Sequence, residues 1–145
     1  MAGLIVAPDA LREILSRGRT VAVLGAHSDP SRPAHYVPAY LSGQGYRVLP
    51  VNPRLVGESL WGEPVRANLA EIADPVDILD VFRRSADLPD HVAEIIALHP
   101  AVVWFQSGIR NDAVATRLVA AGIDVVQDRC TLAEHRAFGL APHRP

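Results

Sequence analysis

The residues best suited to chemistry lie in a short polar loop, from Gly25 to Arg32, that follows an apolar run. The backbone N–H groups of Ala26 and Ser28, and the Ser28 hydroxyl, can each donate a hydrogen bond to an anion. The Arg32 guanidinium can bridge two phosphate oxygens. A helical pattern begins directly after Pro33, so the positive end of a helix dipole is expected at the same point. These features predict a phosphate-binding turn, although a βα turn that holds no ligand would have a similar sequence.

The turn differs from the dinucleotide-binding fingerprint. That motif needs G-x-G-x-x-G and an acidic residue about 20 positions further on, whereas this loop offers only Gly25. Asn52 stands where a nicotinamide enzyme carries Asp or Glu for the ribose 2′-hydroxyl. Asn52 and Pro53 could contact an adenine or a ribose without repelling a nearby phosphate. The same pair could equally form a simple turn at the end of a strand.

Three further residues are expected at the same rim of the fold. Arg83 follows one predicted strand, Gln106 ends the next, and Gly108 lies just beyond it. Ligands of open α/β sheets bind at the carboxyl ends of the strands, so these residues are candidates for ligand contacts. Arg84 is expected to be solvated, and Trp104, inside a strand, is expected in the core.

Cys130 is the single cysteine of the chain. It follows Arg129 and precedes a predicted helix, and both neighbours favour the thiolate form of a cysteine. The simpler interpretation, which we favour, is a small buried side chain. The sequence shows no pattern typical of a Ser-His-Asp triad or a zinc site. We therefore expect neither catalytic residues nor metal ligands.

Strands and helices alternate along the chain. Apolar runs predict strands at 20–25, 47–51, 77–82, 101–106 and 124–127, and a short edge strand at 64–66. Helices are expected at 8–16, at 34–42, from 87 or 90 to 98, from 111 to 121 and at 135–138, with one helical turn at 68–72. Asn111 is expected to cap its helix, and Thr131 to Glu134 match a capping box. This alternation predicts an α/β fold with a doubly wound parallel sheet of five to six strands and helices on both faces.

The length of the chain fits a single domain, 1–145, with its core at about 20–140. An N-terminal helix is expected within 1–18 and a frayed tail at 141–145. The mean hydropathy of +0.13 suits strands that are covered on both faces.

Charge and composition exclude several classes of partner. The net charge of −2 argues against nucleic acid as a partner. No apolar run is long enough to span a membrane, and no basic segment marks a signal peptide. One cysteine precludes an internal disulfide, so a reducing, cytoplasmic location is expected. All 14 basic residues are arginine, so a phosphate would be held by arginine or backbone groups.

Five motifs occur in order along the chain: the Gly25–Pro30 loop, Tyr40-Leu41 with Gly45–Pro53, Asp80–Arg84, Val103–Ile109, and Asp128–Cys130 with Glu134-His135. Together they resemble the motifs of the small bacterial CoA-binding proteins, which are stand-alone relatives of the CoA-binding domain of succinyl-CoA synthetase. The resemblance extends from about Val21 to Leu140. His27 departs from it, because a small or apolar residue is expected there, and Ser107 stands where the family often has proline.

The resemblance implies a Rossmann-like domain that binds coenzyme A, or an acyl-CoA, through its ADP moiety and has no catalytic activity of its own. Gln106 and Gly108 would then contact adenosine or the pantetheine arm. One alternative is an NAD(P)-binding, oxidoreductase-like domain, against which the missing glycines and Asn52 argue. Another is a regulatory or interaction subunit with a vestigial nucleotide site. A homo-oligomer or an unidentified protein partner remains open.

Overall fold

Five parallel strands form the central sheet of the computed structural model, which describes residues 1–144. A separate antiparallel hairpin lies between the second and third of these strands along the chain. The predicted parallel α/β sheet is confirmed, and it has five strands. In chain order the strands are β1 (Thr20–Leu24), β2 (Arg47–Val51), β3 (Ser59–Leu60), β4 (Glu63–Pro64), β5 (Ile78–Val81), β6 (Val102–Phe105) and β7 (Asp124–Val126).

The strand order β2-β1-β5-β6-β7 places a switch point between β1 and β5. The chain leaves β1 towards β2 and later returns to the other side of β1. The last residues of the strands are in register, because Leu24 pairs with both Val51 and Val81, and Val81 pairs with Phe105. Loops that diverge at the switch point leave a crevice at the carboxyl edge of the sheet. The turn after β1 therefore lies at the carboxyl edge of the sheet, as the sequence predicts.

Helices cover both faces of the sheet. They are α1 (Pro8–Arg17), α2 (Pro33–Gly43), α3 (Val92–Leu98), α4 (Asp112–Ala120) and α5 (Thr131–Phe138). Side chains of α1 and α2 pack with Val21, Val23 and Trp104 on one face. Those of α3 and α4 pack with alternate strand residues, such as Leu79 and Val103, on the other. The strands are thus apolar on both sides, which explains their uninterrupted apolar runs.

Two helix starts differ from the prediction. A 3-10 segment, Ser85–His91, precedes α3, because Pro89 lacks the N–H and the space that an α-helical turn needs. The predicted capping box is also wrong. Helix α5 begins at Thr131, whose hydroxyl donates to the buried Asp80 carboxylate at 3.0 Å and accepts from Gln106 instead of accepting from a helix N–H. Glu134 instead binds Arg129, at 2.8 Å. The Asn111 cap is confirmed by its 3.1 Å bond from the Val114 N–H.

The edge strand expected at 64–66 is replaced by the hairpin β3–β4. Trp61 and Gly62, between its strands, both have positive φ, 53° and 78°, as the type I′ hairpin turn requires. Arg66 pairs with Val51 only through an isolated bridge. The helical turn expected at 68–72 is confirmed as a 3-10 turn, Leu69–Glu71.

The C-terminal segment is docked rather than frayed as far as the structure describes it. The His143 N–H donates to the Gln44 carbonyl at 2.8 Å, and its ring Nε2 lies 2.8 Å from the Gly18 carbonyl oxygen. Gly45 has φ +90°, and a Cβ there would collide with the His143 carbonyl. The lack of a side chain at Gly45 therefore makes room for the tail. Pro145 lies outside the described residues.

Candidate ligand-binding site

A cleft of about 1150 Å³ opens at the carboxyl edge of the sheet. Its walls include residues that follow all five strands, so it crosses the whole edge, switch point included. Every residue singled out from the sequence except Ala26 lines it: Gly25, Ser28, Arg32, Asn52, Pro53, Arg83, Gln106, Gly108 and Cys130.

Gly25 makes the turn out of β1 possible. Its φ is +89°, and a Cβ there would lie 2.8 Å from the Phe82 carbonyl oxygen. Ala26, the next residue, is fully buried, and its N–H donates to the Val51 carbonyl at 3.2 Å. Ala26 is therefore not the free phosphate donor that the sequence suggests, because β2 already uses its N–H. It ties the start of the loop to the neighbouring strand.

The loop after Ala26 is organised by its own side chains. The His27 ring accepts a hydrogen bond from the Asp29 N–H at 3.0 Å, so this unexpected histidine has a structural role. Ser31 donates to the Asp29 carboxylate through its N–H at 2.9 Å and its hydroxyl at 2.8 Å. These bonds lower the pKa of Asp29, the backbone bond most. Ser31 is thus occupied, and Ser28 is exposed on the cleft.

Arg32 precedes α2 and lies exposed on the cleft. No side chain caps this helix, and Pro33 at its first position has no N–H. Within the described residues, no protein acceptor takes up the Ala34 N–H, and Ala34 also lines the cleft. The helix start thus presents a backbone donor beside a guanidinium, which is an arrangement suited to an anion.

Asn52 holds two loops together through both ends of its amide. Its Nδ2 donates to the Ala26 carbonyl at 2.8 Å, and its Oδ1 accepts from the Arg54 N–H at 2.9 Å. The backbone of Asn52 is extended, with φ −163°, as expected before Pro53. Asn52 shapes the cleft wall without bringing a negative charge to it.

Arg83 and Arg84 differ in how far their side chains are exposed, as the sequence suggests. The Arg84 side chain is 85% exposed and pairs with Asp87 at 3.0 Å. Arg83 is half-buried on the cleft, and its Nε atom is buried with no hydrogen-bond partner among the described residues. A buried donor without a partner is unfavourable, so Arg83 requires an acceptor from water or a ligand.

Gln106 reaches the cleft, but its amide nitrogen turns into the core. Its Nε2 donates to the Asp80 carboxylate and, at 2.9 Å, to the Thr131 hydroxyl oxygen. Asp80 is fully buried, and burial raises its pKa to about 7, although both hydrogen bonds oppose the rise. The sequence analysis misses this network. An acidic residue inside an apolar strand is the signal that could have revealed it.

Gly108 and Cys130 complete the cleft beyond β6. The Gly108 N–H donates to the Asp128 carboxylate at 2.6 Å, so this turn is fastened to the end of β7. Cys130 precedes α5 and is partly exposed. Trp104 is fully buried, as predicted, and its indole N–H donates to the Arg129 carbonyl at 2.8 Å.

The cleft is strongly basic in a chain with a net charge of −2. Its lining includes four arginines and one acidic residue, Asp87, which already pairs with an arginine. The four are Arg32, Arg54, Arg83 and Arg84. Concentrated positive charge in a cleft attracts a ligand that carries several negative charges.

Within residues 1–144, no three histidine, cysteine or acidic side chains come together as metal ligands. None of the helices in this range is both long enough and apolar enough to cross a membrane.

Sheet order and cleft define a doubly wound α/β domain with a basic crevice at its switch point. A sequence model described as "CoA binding domain" matches residues 19–136. The chain belongs to that CoA-binding domain family.

The chain is also similar to a curated protein and to solved structures. The uncharacterized protein YneT of Bacillus subtilis is 36% identical over 86% of this chain and 91% of its own length. A Thermus thermophilus structure, cell-free ID.343, is 57% identical with a TM-score of 0.89, over 91% of this chain and 98% of that one. A hypothetical protein from Pyrococcus horikoshii is 32% identical with a TM-score of 0.84, over 91% and 92% of the two chains.

Proposed function

We propose that this protein binds coenzyme A, or an acyl-CoA, in the cleft through the ADP moiety and does not turn it over. The observation that carries the proposal is the set of four arginines on the cleft of a CoA-binding-family chain whose net charge is negative. CoA combines a diphosphate with a 3′-phosphate, so its charge complements this lining. A cytoplasmic location suits a chain with one cysteine.

The placement of the ligand follows from the free donors. The diphosphate occupies the β1 turn, where the Ser28 hydroxyl, the Arg32 guanidinium and the first turn of α2 all line the cleft. Arg83 supplies the buried Nε that lacks an acceptor. The adenosine lies towards Asn52 and Pro53 at the β2 end, and the pantetheine arm runs across the β6 turn at Gly108.

CoA is preferred over NAD because of the groups at the β2 end. NAD-binding domains hold the ribose 2′-hydroxyl with a carboxylate, whereas Asn52 carries an amide that is already engaged at both ends. NAD also lacks the 3′-phosphate that an additional arginine can bind. We therefore expect the affinity to fall from CoA to dephospho-CoA to NAD.

The test is a calorimetric titration of these three ligands under reducing conditions. Arg32→Gln and Arg83→Gln should each weaken CoA binding about ten- to a hundredfold, because a hydrogen bond to a charged group contributes roughly 1.5–3 kcal/mol. Arg12→Gln, an exposed change on α1 outside the cleft lining, is the matched control and should bind as wild type.

Three results would contradict the proposal. An affinity for NAD equal to or higher than that for CoA would favour the oxidoreductase-like alternative. A lack of binding by all three ligands would favour a vestigial site. Sustained hydrolysis of acetyl-CoA by the purified protein would overturn the statement that it only binds.

A further inference from the structure

Cys130 occupies a position in the cleft that binding of the ADP moiety does not require. It is partly exposed on the cleft wall at the β7 end, opposite the Asn52 end. Its side chain does not cap α5. The chain has no second cysteine with which it could pair. The thiol is therefore available to a group that reaches this end of the cleft.

The pantetheine arm has the length to reach it. The ends of β1 and β7 are three strand spacings apart in the sheet order, which is about 14 Å. The arm, from its phosphate oxygen to its sulfur, has the backbone length of four residues, about 14 Å when extended. With the diphosphate at the β1 turn, the coenzyme thiol can therefore reach the β7 end, where Cys130 lies.

The residues on either side of Cys130 are fixed by buried contacts. The Arg129 N–H donates to the Phe105 carbonyl at 3.2 Å. On the other side, the Thr131 hydroxyl donates to Asp80 and accepts from Gln106. The thiol is thus held at one place on the cleft wall.

An independent observation points to a bound acceptor in the same cleft. The buried Arg83 Nε has no hydrogen-bond partner among the described residues. Arg83 follows β5, which lies between β1 and β7 in the sheet. An anionic group bound there would direct the rest of the same molecule along the cleft.

We propose that Cys130 captures coenzyme A covalently by thiol–disulfide exchange with CoA disulfide. The inference rests on the proposed function, because the bound nucleotide brings the disulfide to the cysteine. The physiological ligand class is then the oxidised form of the coenzyme as well as its thiol.

The exchange balances with the coenzyme disulfide as the only oxidant. The Cys130 thiolate attacks the sulfur of the bound CoA half, and the S–S bond between the two CoA molecules breaks. The second CoA leaves as a thiolate and takes up the proton that Cys130 released. Cys130 is oxidised to a mixed disulfide, and the departing CoA is reduced. The capture is stoichiometric, so it adds no turnover.

The experiment measures intact mass under non-reducing conditions after the reduced protein is mixed with CoA disulfide. We expect an adduct of one CoA per chain, which dithiothreitol removes and which Cys130→Ser does not form. Oxidised glutathione, a disulfide without the nucleotide, should react at least about tenfold more slowly. Arg83→Gln should slow the reaction with CoA disulfide but not that with glutathione, and Arg12→Gln should alter neither.

Equal rates with the two disulfides, or no adduct with CoA disulfide, would overturn the inference. Calorimetry of the wild-type protein with CoA and a reductant distinguishes failure of the inference about Cys130 from failure of the proposed function. If CoA binds there but the exchange shows no preference, the proposed function stands and the role of Cys130 falls. If CoA does not bind, the proposed function itself fails.

Discussion

Asp80 places a carboxyl group at the centre of the sheet, and both of its hydrogen bonds come from neutral groups, on Gln106 and Thr131. Burial raises its pKa to about 7, well above the value of about 3.9 for an unfolded chain. Between these values the folded protein holds a proton that the unfolded chain has lost. The contribution of Asp80 to stability therefore falls as the pH rises from about 4 to about 7.

Asp80→Asn should remove this dependence, because asparagine resembles the protonated carboxyl. The free energy of unfolding of the variant, relative to wild type, should rise between pH 5 and pH 8 by on the order of 2 kcal/mol. Urea denaturation at several pH values measures it. Asp90→Asn, at an exposed position, is the control and should show a flat difference. A flat difference for Asp80→Asn would mean that Asp80 ionises normally.

The sequence predicts which residues stand at the strand ends, but not what their side chains do there. Position follows from the alternation of strands and helices, so Arg83 and Asn52 are found on the cleft as expected. Hydrogen-bond partners depend on contacts between distant segments. The Asn52 side chain thus donates to the Ala26 carbonyl, and the Gln106 side chain donates to Asp80. The residues adjacent in sequence do not determine which of several distant partners a side chain will bond.

At the scale of elements, the start of α5 shows the same competition. A Thr and a Glu three residues apart normally cap a helix. Here the Thr131 hydroxyl donates to the buried Asp80 carboxylate instead, and Glu134 accepts from Arg129. Neither partner is local enough for a pattern of four residues to reveal it. The segment after α5 is a second case, because docking by His143 depends on Gly18 and Gly45 far away in the chain.

His143→Ala tests whether the tail contributes to stability. The change removes the bond to the Gly18 carbonyl and the edge contact with the Tyr46 ring, whose centroid lies 4.5 Å from that of His143. We expect the free energy of unfolding to fall by about 1–2 kcal/mol, measured as a lower urea midpoint at unchanged slope. Arg144→Ala, at the exposed neighbour, should have little effect. Equal midpoints for the two variants would indicate a frayed tail.

At the scale of the molecule, one sheet edge carries the whole candidate site. Four of the five parallel strands end at one level and β7 ends one residue earlier, so loops distant in sequence share a single cleft. This level of organisation is the most predictable from sequence, since the right-handed crossover and the strand order follow general rules. Any ligand that fills the cleft contacts several loops at once and should stabilise the folded state as a unit.

Thermal unfolding should therefore report CoA binding. At a concentration one hundred times its dissociation constant, CoA should stabilise the wild-type protein by about 2.7 kcal/mol. For a domain of this length that raises Tm by roughly 5–11 °C. NAD at the same concentration should raise it by much less, because the expected affinity is lower. Calorimetric scans with each nucleotide, under reducing conditions, measure the difference.

The Arg83→Gln variant measures how much of the stabilisation by CoA depends on Arg83. If the variant binds CoA ten- to a hundredfold more weakly, the same CoA concentration is only about ten times to one times its dissociation constant. The stabilisation then falls to about 1.4–0.4 kcal/mol, and the rise in Tm shrinks in proportion. Arg12→Gln should keep the full rise. If CoA shifts Arg83→Gln as much as wild type, the buried Nε that lacks a partner is satisfied by water, and Arg83 is not what selects the ligand.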